Sequence, residues 1–339
     1  MKCKVITKGN FKTWIGQLIK DGRTIGVKEK EAGKFHFAEL ESPDGLRLDY
    51  DVTITPPKKY FQPPKETLLQ YKGIKADAVM DAEPMTIIGV HPYDMHAINQ
   101  MGKVFSQDNK DTNYLKRRHA VVIIGCDQVS ASKWSFWSAM GSSTADDGFD
   151  LWLTDLGDKY FIAVGTKKGE QLLKKAKTVN ANDEDIARKK DVREKLTSLC
   201  GNNRGIKTKI KDLPSLFKLN YEYKIWERQA EKCYSCGSCN LVCPTCYCFD
   251  VREEMELDLI NGRRIRMWDG CLLEAFAKVG SGENFREDRS ERFRHRFFRK
   301  FVYMPEKIGR LACVGCGRCA SVCLPDITDP VKIINELVT

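Results

Sequence analysis

Apolar and polar residues alternate over residues 27–40 and again over 46–54, with Ser42-Pro43-Asp44-Gly45 between the two runs. Period-two alternation on either side of a turn signal predicts two half-buried strands. Pro56-Pro57 and Pro63-Pro64 close that unit and hold the chain extended. Four short runs, at 85–90, 120–125, 149–154 and 159–164, are rich in β-branched and aromatic residues and read as buried strands. Gly157-Asp158 between the last two marks a hairpin, and residues 95–101 suggest a short helix.

The pattern changes after residue 172. Residues 174–196 are highly charged with sparse apolar positions, which predicts one or two exposed helices broken at Asn180-Ala181-Asn182-Asp183. Asp183-Glu184-Asp185 then sit where a new helix has its positive end. Helical periodicity resumes over 213–229. Further on, 251–261, 269–279 and 290–303 each predict a helix, the third with Phe293, Phe297, Phe298 and Phe301 on one face. A last short helix over 329–337 opens with Asp329 before Pro330. The expected fold is therefore α+β. A mixed α/β domain of short strands spans 1–172, a helical connector 173–231, and a mainly helical, ferredoxin-like domain 232–339.

With 339 residues, 42% hydrophobic and 30% charged, the chain is long enough for two ordinary domains of a soluble protein. The segment Met1-Lys2-Cys3-Lys4-Val5-Ile6-Thr7-Lys8 has no apolar h-region. Apolar runs such as 120–126 fall far short of the ~20 residues that span a bilayer. The expectation is a cytoplasmic protein without membrane insertion. The formal charge of +10 raises nucleic acid as a partner. Lys167, Lys168, Lys174, Lys175 and Lys177 read as a solvated helix face. The arginine-rich stretch 286–300 lies between two cysteine motifs, where positive charge neutralises bound anionic groups and docks acidic partners. Nucleic acid is not expected.

The chemistry lies in the fourteen cysteines. Cys233, Cys236, Cys239 and Cys243, followed by Pro244, read C-x2-C-x2-C-x3-C; Cys313, Cys316, Cys319 and Cys323 repeat the spacing, with Pro325 two residues on. This is the bacterial ferredoxin spacing, in which three thiolates come from one tight loop and the fourth ligates the other cluster. Cys233, Cys236, Cys239 and Cys323 are thus assigned to one [4Fe–4S] cluster, and Cys313, Cys316, Cys319 and Cys243 to a second. Gly237, Gly315 and Gly317 allow backbone N–H groups to approach the sulfides. Lys232, Arg310 and Arg318 are candidates to offset the negative charge. Zinc sites more often use two separated C-x2-C pairs, and disulfides do not suit a cytosolic chain. Cys246, Cys248 and Cys271 could supply three ligands of a further cluster, with Asp269 or His295 as a fourth, or simply pack near the site. Cys3, Cys126 and Cys200 have no ligand-spaced neighbours and read as bystanders. His91 reads as a partly buried imidazole at a strand-end turn, and His96 and His119 as structural. Asp146-Asp147 reads as a solvated turn. Trp134, Phe136 and Trp137 form an aromatic cluster of core or subunit-interface type, with interface slightly preferred.

From Trp226 onward these residues resemble a known family. The first motif continues into Thr245-Cys246-Tyr247-Cys248-Phe249-Asp250. Met267-Trp268-Asp269-Gly270-Cys271, Arg294-His295-Arg296 and the second motif follow. Together they are similar to the [4Fe–4S] dicluster subunits of cytoplasmic anaerobic redox complexes: sulfhydrogenase beta subunits, the corresponding subunit of anaerobic sulfite reductase, and subunits of flavin oxidoreductases linked to heterodisulfide reductase. Pro56-Pro57-Lys58-Lys59-Tyr60-Phe61, Gly89-Val90-His91-Pro92-Tyr93-Asp94 and Leu153-Thr154-Asp155-Leu156-Gly157-Asp158 extend a looser likeness to the N-terminal half. The resemblance implies an electron-transfer subunit that is not an enzyme on its own. It would pass electrons between a flavin- and NAD(P)H-binding subunit and a catalytic or relay iron–sulfur subunit. Many relatives read Arg-Pro-Cys-Asp where this chain has His91-Pro92-Tyr93-Asp94, and some read Cys-Phe-Cys at Ser135-Phe136-Trp137. Any metal those cysteines hold has no counterpart here. Two other readings stay open from the residues alone: a zinc-bearing basic binding module, and a reductase whose substrate meets an exposed iron.

Overall fold

The structure is a computed structural model that describes residues 2–338. Its strands are β1 (Cys3–Thr7), β2 (Thr24–Glu31), β3 (Lys34–Glu39), β4 (Lys65–Lys72), β5 (Lys75–Ala78), β6 (Met85–Val90), β7 (Val121–Cys126), β8 (Leu151–Asp155), β9 (Lys159–Val164), β10 (Val179–Asn180), β11 (Phe249–Met255) and β12 (Asn261–Trp268). Eight of them form one sheet in the order β10-β1-β9-β8-β7-β6-β2-β3. The central strands β2, β6, β7 and β8 run parallel, and the flanking pairs are antiparallel.

The parallel strands are apolar on both faces because helices cover both faces. Ile88, Ile124, Leu151 and Leu153 pack beneath the helix Lys8–Asp21, with its Phe11, Trp14, Ile15 and Leu18. Ile87, Ile123 and Trp152, one residue out of phase, face the helix Pro92–Ser106 through Met95, Ile98, Met101 and Phe105. This alternation across the pleat makes the three layers. The carboxyl ends of β6 and β7 lead into the start of helix Pro92–Ser106 and into the long connection 127–150. Both elements reach the cysteine loops.

Several expected elements change. Residues 27–40 fold as a hairpin, β2 and β3, turning at Gly33 (φ 71°). Residues 46–54 form no strand. Leu46, Leu48 and Tyr50 do point inward, but the backbone is tied to the hairpin by isolated bonds, Arg47 N–H to Val27 O (2.8 Å) and Ile54 N–H to Phe35 O (2.8 Å). Alternation recorded which side chains face the core, not whether the backbone finds a ladder. Residues 251–261, expected as an acidic helix, form β11 and its turn. Glu253 and Glu254 pair across the strands with Arg264 (2.5 Å) and Arg263 (2.7 Å), so the charges read as helical are cross-strand partners. Residues 269–279 hold only the single turn Glu274–Ala277, since β12 ends at Trp268 and Gly270 follows. The expected helix over 213–229 is two, Leu213–Leu219 and Ile225–Glu231, divided where Asn220 Nδ2 turns back to Leu216 O (2.8 Å).

The second sheet, β11-β12-β4-β5, joins β4 and β5 from the first eighty residues to the hairpin after the first cysteine motif. The remaining C-terminal elements are helical. Arg289–Phe298 continues as a π-helical turn, Arg299–Tyr303, and packs with Ile225–Glu231 and Pro330–Val338 around Phe217, Trp226, Phe293, Phe297, Phe298 and Phe301. The charged stretch after residue 172 is helical only in its second part: residues 174–182 hold the short strand β10 instead of a helix, and Asn182 and Asp185 form a capping box that opens the helix Asp183–Leu199. Among the described residues no helix is long and apolar enough to cross a membrane.

Candidate metal centre

Each cysteine loop ends on a glycine in the left-handed region, Gly237 (φ 70°) or Gly317 (φ 79°), that turns the chain into one helical turn, Ser238–Leu241 or Arg318–Ser321. These two turns pack against each other. Their packing carries the fourth cysteine of each motif toward the opposite loop. Cys243, Cys313, Cys316 and Cys319 line one internal cavity, together with Arg296 and Lys300. Cys239 is buried in the core cluster that also includes Cys233, with Cys319, Cys271 and Cys323 among the thiols acting on it. Cys236 alone of the eight is exposed. Among the described residues no three His, Cys, Asp or Glu side chains converge tightly enough to hold a single ion. The thiols instead surround shared space.

The donor set suits an anionic iron–sulfur body. Burial pushes the Cys239 and Cys316 thiols up to about 12, and raises Cys313 and Cys319 as well. Hydrogen bonding from Cys246 and the nearby Lys300 and Arg296 hold Cys243 well below its usual value. Lys300, 5% exposed, donates to Thr245 Oγ1 (2.8 Å), and Arg296, 3% exposed, donates to the Cys239 carbonyl (3.3 Å) while its Nε has no partner. Buried cations aimed at thiols favour metal thiolates over free thiols. At the exposed loop, the Ser238 hydroxyl and then its N–H lower the Cys236 pKa.

Among the basic residues expected to offset this charge, Lys232 and Arg310 are exposed. Arg318 is buried but forks onto Asp94 (2.6 and 2.7 Å) and Thr53, tying the second loop to the helix after β6. Sequence reasoning placed neutralising charge in the stretch 286–300 without singling out Arg296 and Lys300 within it. Their signal was available: both lie on the same helical run as Phe293 and Phe297, four residues apart, on a face otherwise apolar.

The aromatic cluster is internal, not a subunit interface. Residues 132–142 of the long connection after β7 lie against the second loop: Phe136 N–H donates to Gly315 O (2.8 Å). A Cβ on Gly315 would stand 2.5 Å from Trp137 Cα, and one on Gly317 2.5 Å from the Trp134 carbonyl carbon, so only glycine admits this strap. Tyr93, Trp137, Val314 and Cys316 share one buried cluster, and Ser135 Oγ lies 3.5 Å from the Cys316 carbonyl. The positions at which some relatives have extra cysteines thus meet here, filled by the rings of Tyr93 and Trp137 and by the Ser135 hydroxyl. His91 is fully buried, stacked on Tyr50 (3.8 Å between centroids) and bonded through Nδ1 to the Tyr93 hydroxyl (2.9 Å); burial drives its pKa well down, a structural imidazole. His96 bonds the Thr144 carbonyl (2.8 Å). Cys126 and Cys200 are buried bystanders.

Comparison with known proteins agrees with this geometry. Residues 232–327 match the 4Fe-4S dicluster domain. The chain is 32% identical over 332 residues, 96% of both chains, to sulfhydrogenase 2 subunit beta of Pyrococcus furiosus. The chain belongs to the sulfhydrogenase beta-subunit family. As a member it is an iron–sulfur electron-transfer subunit of an oxidoreductase complex. Over a shorter span, 106 residues covering 28% of this chain and 24% of the relative, it is 32% identical to the F420-dependent formate dehydrogenase 1 subunit beta of Methanococcus maripaludis. No solved structure matches.

Proposed function

We propose that this beta-type subunit holds two [4Fe–4S] clusters and relays electrons between a flavin- and NAD(P)H-binding subunit and a catalytic or relay iron–sulfur subunit. The observation that carries the reading is the crossing of the fourth cysteines: Cys243 shares its cavity with Cys313, Cys316 and Cys319 rather than with its own loop. Cys323 is among the thiols that act on Cys239, which supports the reciprocal crossing. The ligand sets are Cys233, Cys236, Cys239 and Cys323 for the first centre and Cys313, Cys316, Cys319 and Cys243 for the second. When bound, such clusters exchange one electron each at potentials set by charge, hydrogen bonding and exposure.

The chain's own residues do the rest. Arg296 places positive charge between the two thiol sets and Lys300 beside Cys243, the Ser238 hydroxyl lies 3.5 Å from the exposed sulfur, where it can donate to a thiolate, and the 132–142 strap covers the buried set. Tyr234, 71% exposed, and Leu324, 90% exposed, flank the first centre and offer a partner its nearest approach. The decisive experiment is anaerobic purification of the complex with iron, sulfide and zinc analysis. The reading expects about eight irons and eight sulfides per chain from these two centres. Zinc without acid-labile sulfide would refute it. Reduction of the clusters by NAD(P)H only in the presence of the flavin-bearing partner tests the direction of relay.

A further inference from the structure

Three cysteines remain outside the two ligand sets. Cys246 and Cys248 precede β11, and Cys271 follows β12. Because β11 and β12 pair in register from Phe249–Trp268 onward, and Asp269 N–H bonds Cys248 O (3.1 Å), the hairpin brings its two open ends, and hence these thiols, to one place. Cys271 acts electrostatically on both Cys246 and Cys248. Asn240, 2% exposed, points its Nδ2 at Cys271 Sγ (3.4 Å) and Cys246 Sγ (3.7 Å), while its Oδ1 has no partner. An amide donating to two sulfurs in a buried site suits thiolates.

Charge points the same way. Lys58, 6% exposed, bonds the Cys246 carbonyl (2.9 Å), lies over the Trp268 ring (4.2 Å) and faces the Cys246, Cys243 and Cys248 thiols. Lys300 also faces Cys246. Among the described residues neither lysine, nor Arg296, has an ion pair with a carboxylate. Burying cations without a counter-anion is costly. The second centre accounts for Lys300 and Arg296 and reaches Lys58 only through Cys243; the other two sulfurs facing Lys58, Cys246 and Cys248, belong to this third group. Asp269 stands beside Cys248, its Oδ1 accepting from Gly270 N–H (2.6 Å). His295, the other candidate for a fourth donor, packs beside Tyr303 instead (5.8 Å between centroids).

We propose that Cys246, Cys248 and Cys271 hold a third iron–sulfur cluster, of the [4Fe–4S] class, with the Asp269 carboxylate beside its fourth iron. The inference rests on the two-centre reading, since Cys243 of the second centre bonds Cys246 and would set the third one next to it. The test is the anaerobically purified complex, analysed for iron, sulfide and zinc per chain, as wild type and as Cys271→Ser and Cys248→Ser variants. Wild type is expected to hold about twelve irons and twelve sulfides. Each variant is expected to fall to about eight while keeping the paramagnetic resonance of the two ferredoxin-type centres. A wild-type content of about eight, or of eight with one zinc that Cys271→Ser removes, overturns this proposal and leaves the two-centre reading intact. Absence of iron from wild type sinks both. The wild-type count decides even where a variant fails to fold.

Discussion

The two cysteine loops share one spacing and differ most at the second cysteine, exposed at Cys236 and buried at Cys316. Around the first, Cys236, Tyr234 and Leu324 face solvent. Around the second, Val314, Cys316 and Arg318 are each under a tenth exposed, closed over by the Trp134–Trp137 strap and anchored through Asp94. The spacing specifies which atoms can be ligands, and the enclosure decides what a centre can do. An exposed centre can meet another protein's cofactor. A buried one can exchange electrons only with internal neighbours, and adding an electron there is opposed by the low dielectric unless fixed cations compensate. Arg296 and Lys300 occupy that compensating position.

The comparison breaks most completely at the sulfurs. Cys316→Ser is expected to abolish electron flow through the complex, remove about four irons and lower the melting temperature. Cys236→Ser should stop flow with a smaller loss of stability, because its surroundings are already solvated. Equal melting losses in the two variants would erase the distinction between the loops. Asp94→Asn leaves the fully buried Arg318 without its anion and should cost about 3–5 kcal/mol in denaturant unfolding, with no comparable effect from any single charge beside the first loop. Trp137→Ala opens a cavity over the second loop, expected to cost about 3–5 kcal/mol and to quicken oxygen damage to that centre alone, followed by its resonance signal.

The smallest effect is at the exposed loop. In cluster-free protein the Ser238 donors hold the Cys236 pKa down, so its thiolate persists to lower pH than an ordinary cysteine's. Ser238→Ala should shift the midpoint of its alkylation-rate profile upward in pH. Cys316, pushed up to about 12, should stay unreactive throughout in both proteins while folded. An unchanged Cys236 profile would show that the Ser238 hydroxyl does not tune it.

The motifs were legible because thiolate geometry demands fixed local spacing, and β6 to β9 because parallel strands buried on both faces must be apolar. Residues 249–268 were not legible as strands. Glu253, Glu254, Arg263 and Arg264 fit an exposed helix equally well, and what chooses the hairpin is β4, nearly two hundred residues away. β1 and the helix Lys8–Asp21 gave no expectation because Lys8, Lys12 and Lys20 obscure a stripe of Phe11, Trp14, Ile15 and Leu18 that the sheet then covers. The strap was misjudged because aromatic residues signal burial without saying under what. Arg296 and Lys300 look like part of a basic surface until the helix face they occupy is known.

The strap also dictates an order of assembly. Residues 132–142 emerge from the ribosome well before the loop at 313–323 that they enclose, so the hollow awaits its contents rather than forming around them. On the two-centre reading, iron and sulfide for the centre at Cys316 would have to arrive before that last loop settles beneath Trp137, whereas the centre at Cys236 would stay open to later loading. Maturation factors would find one doorway that shuts and one that stays open.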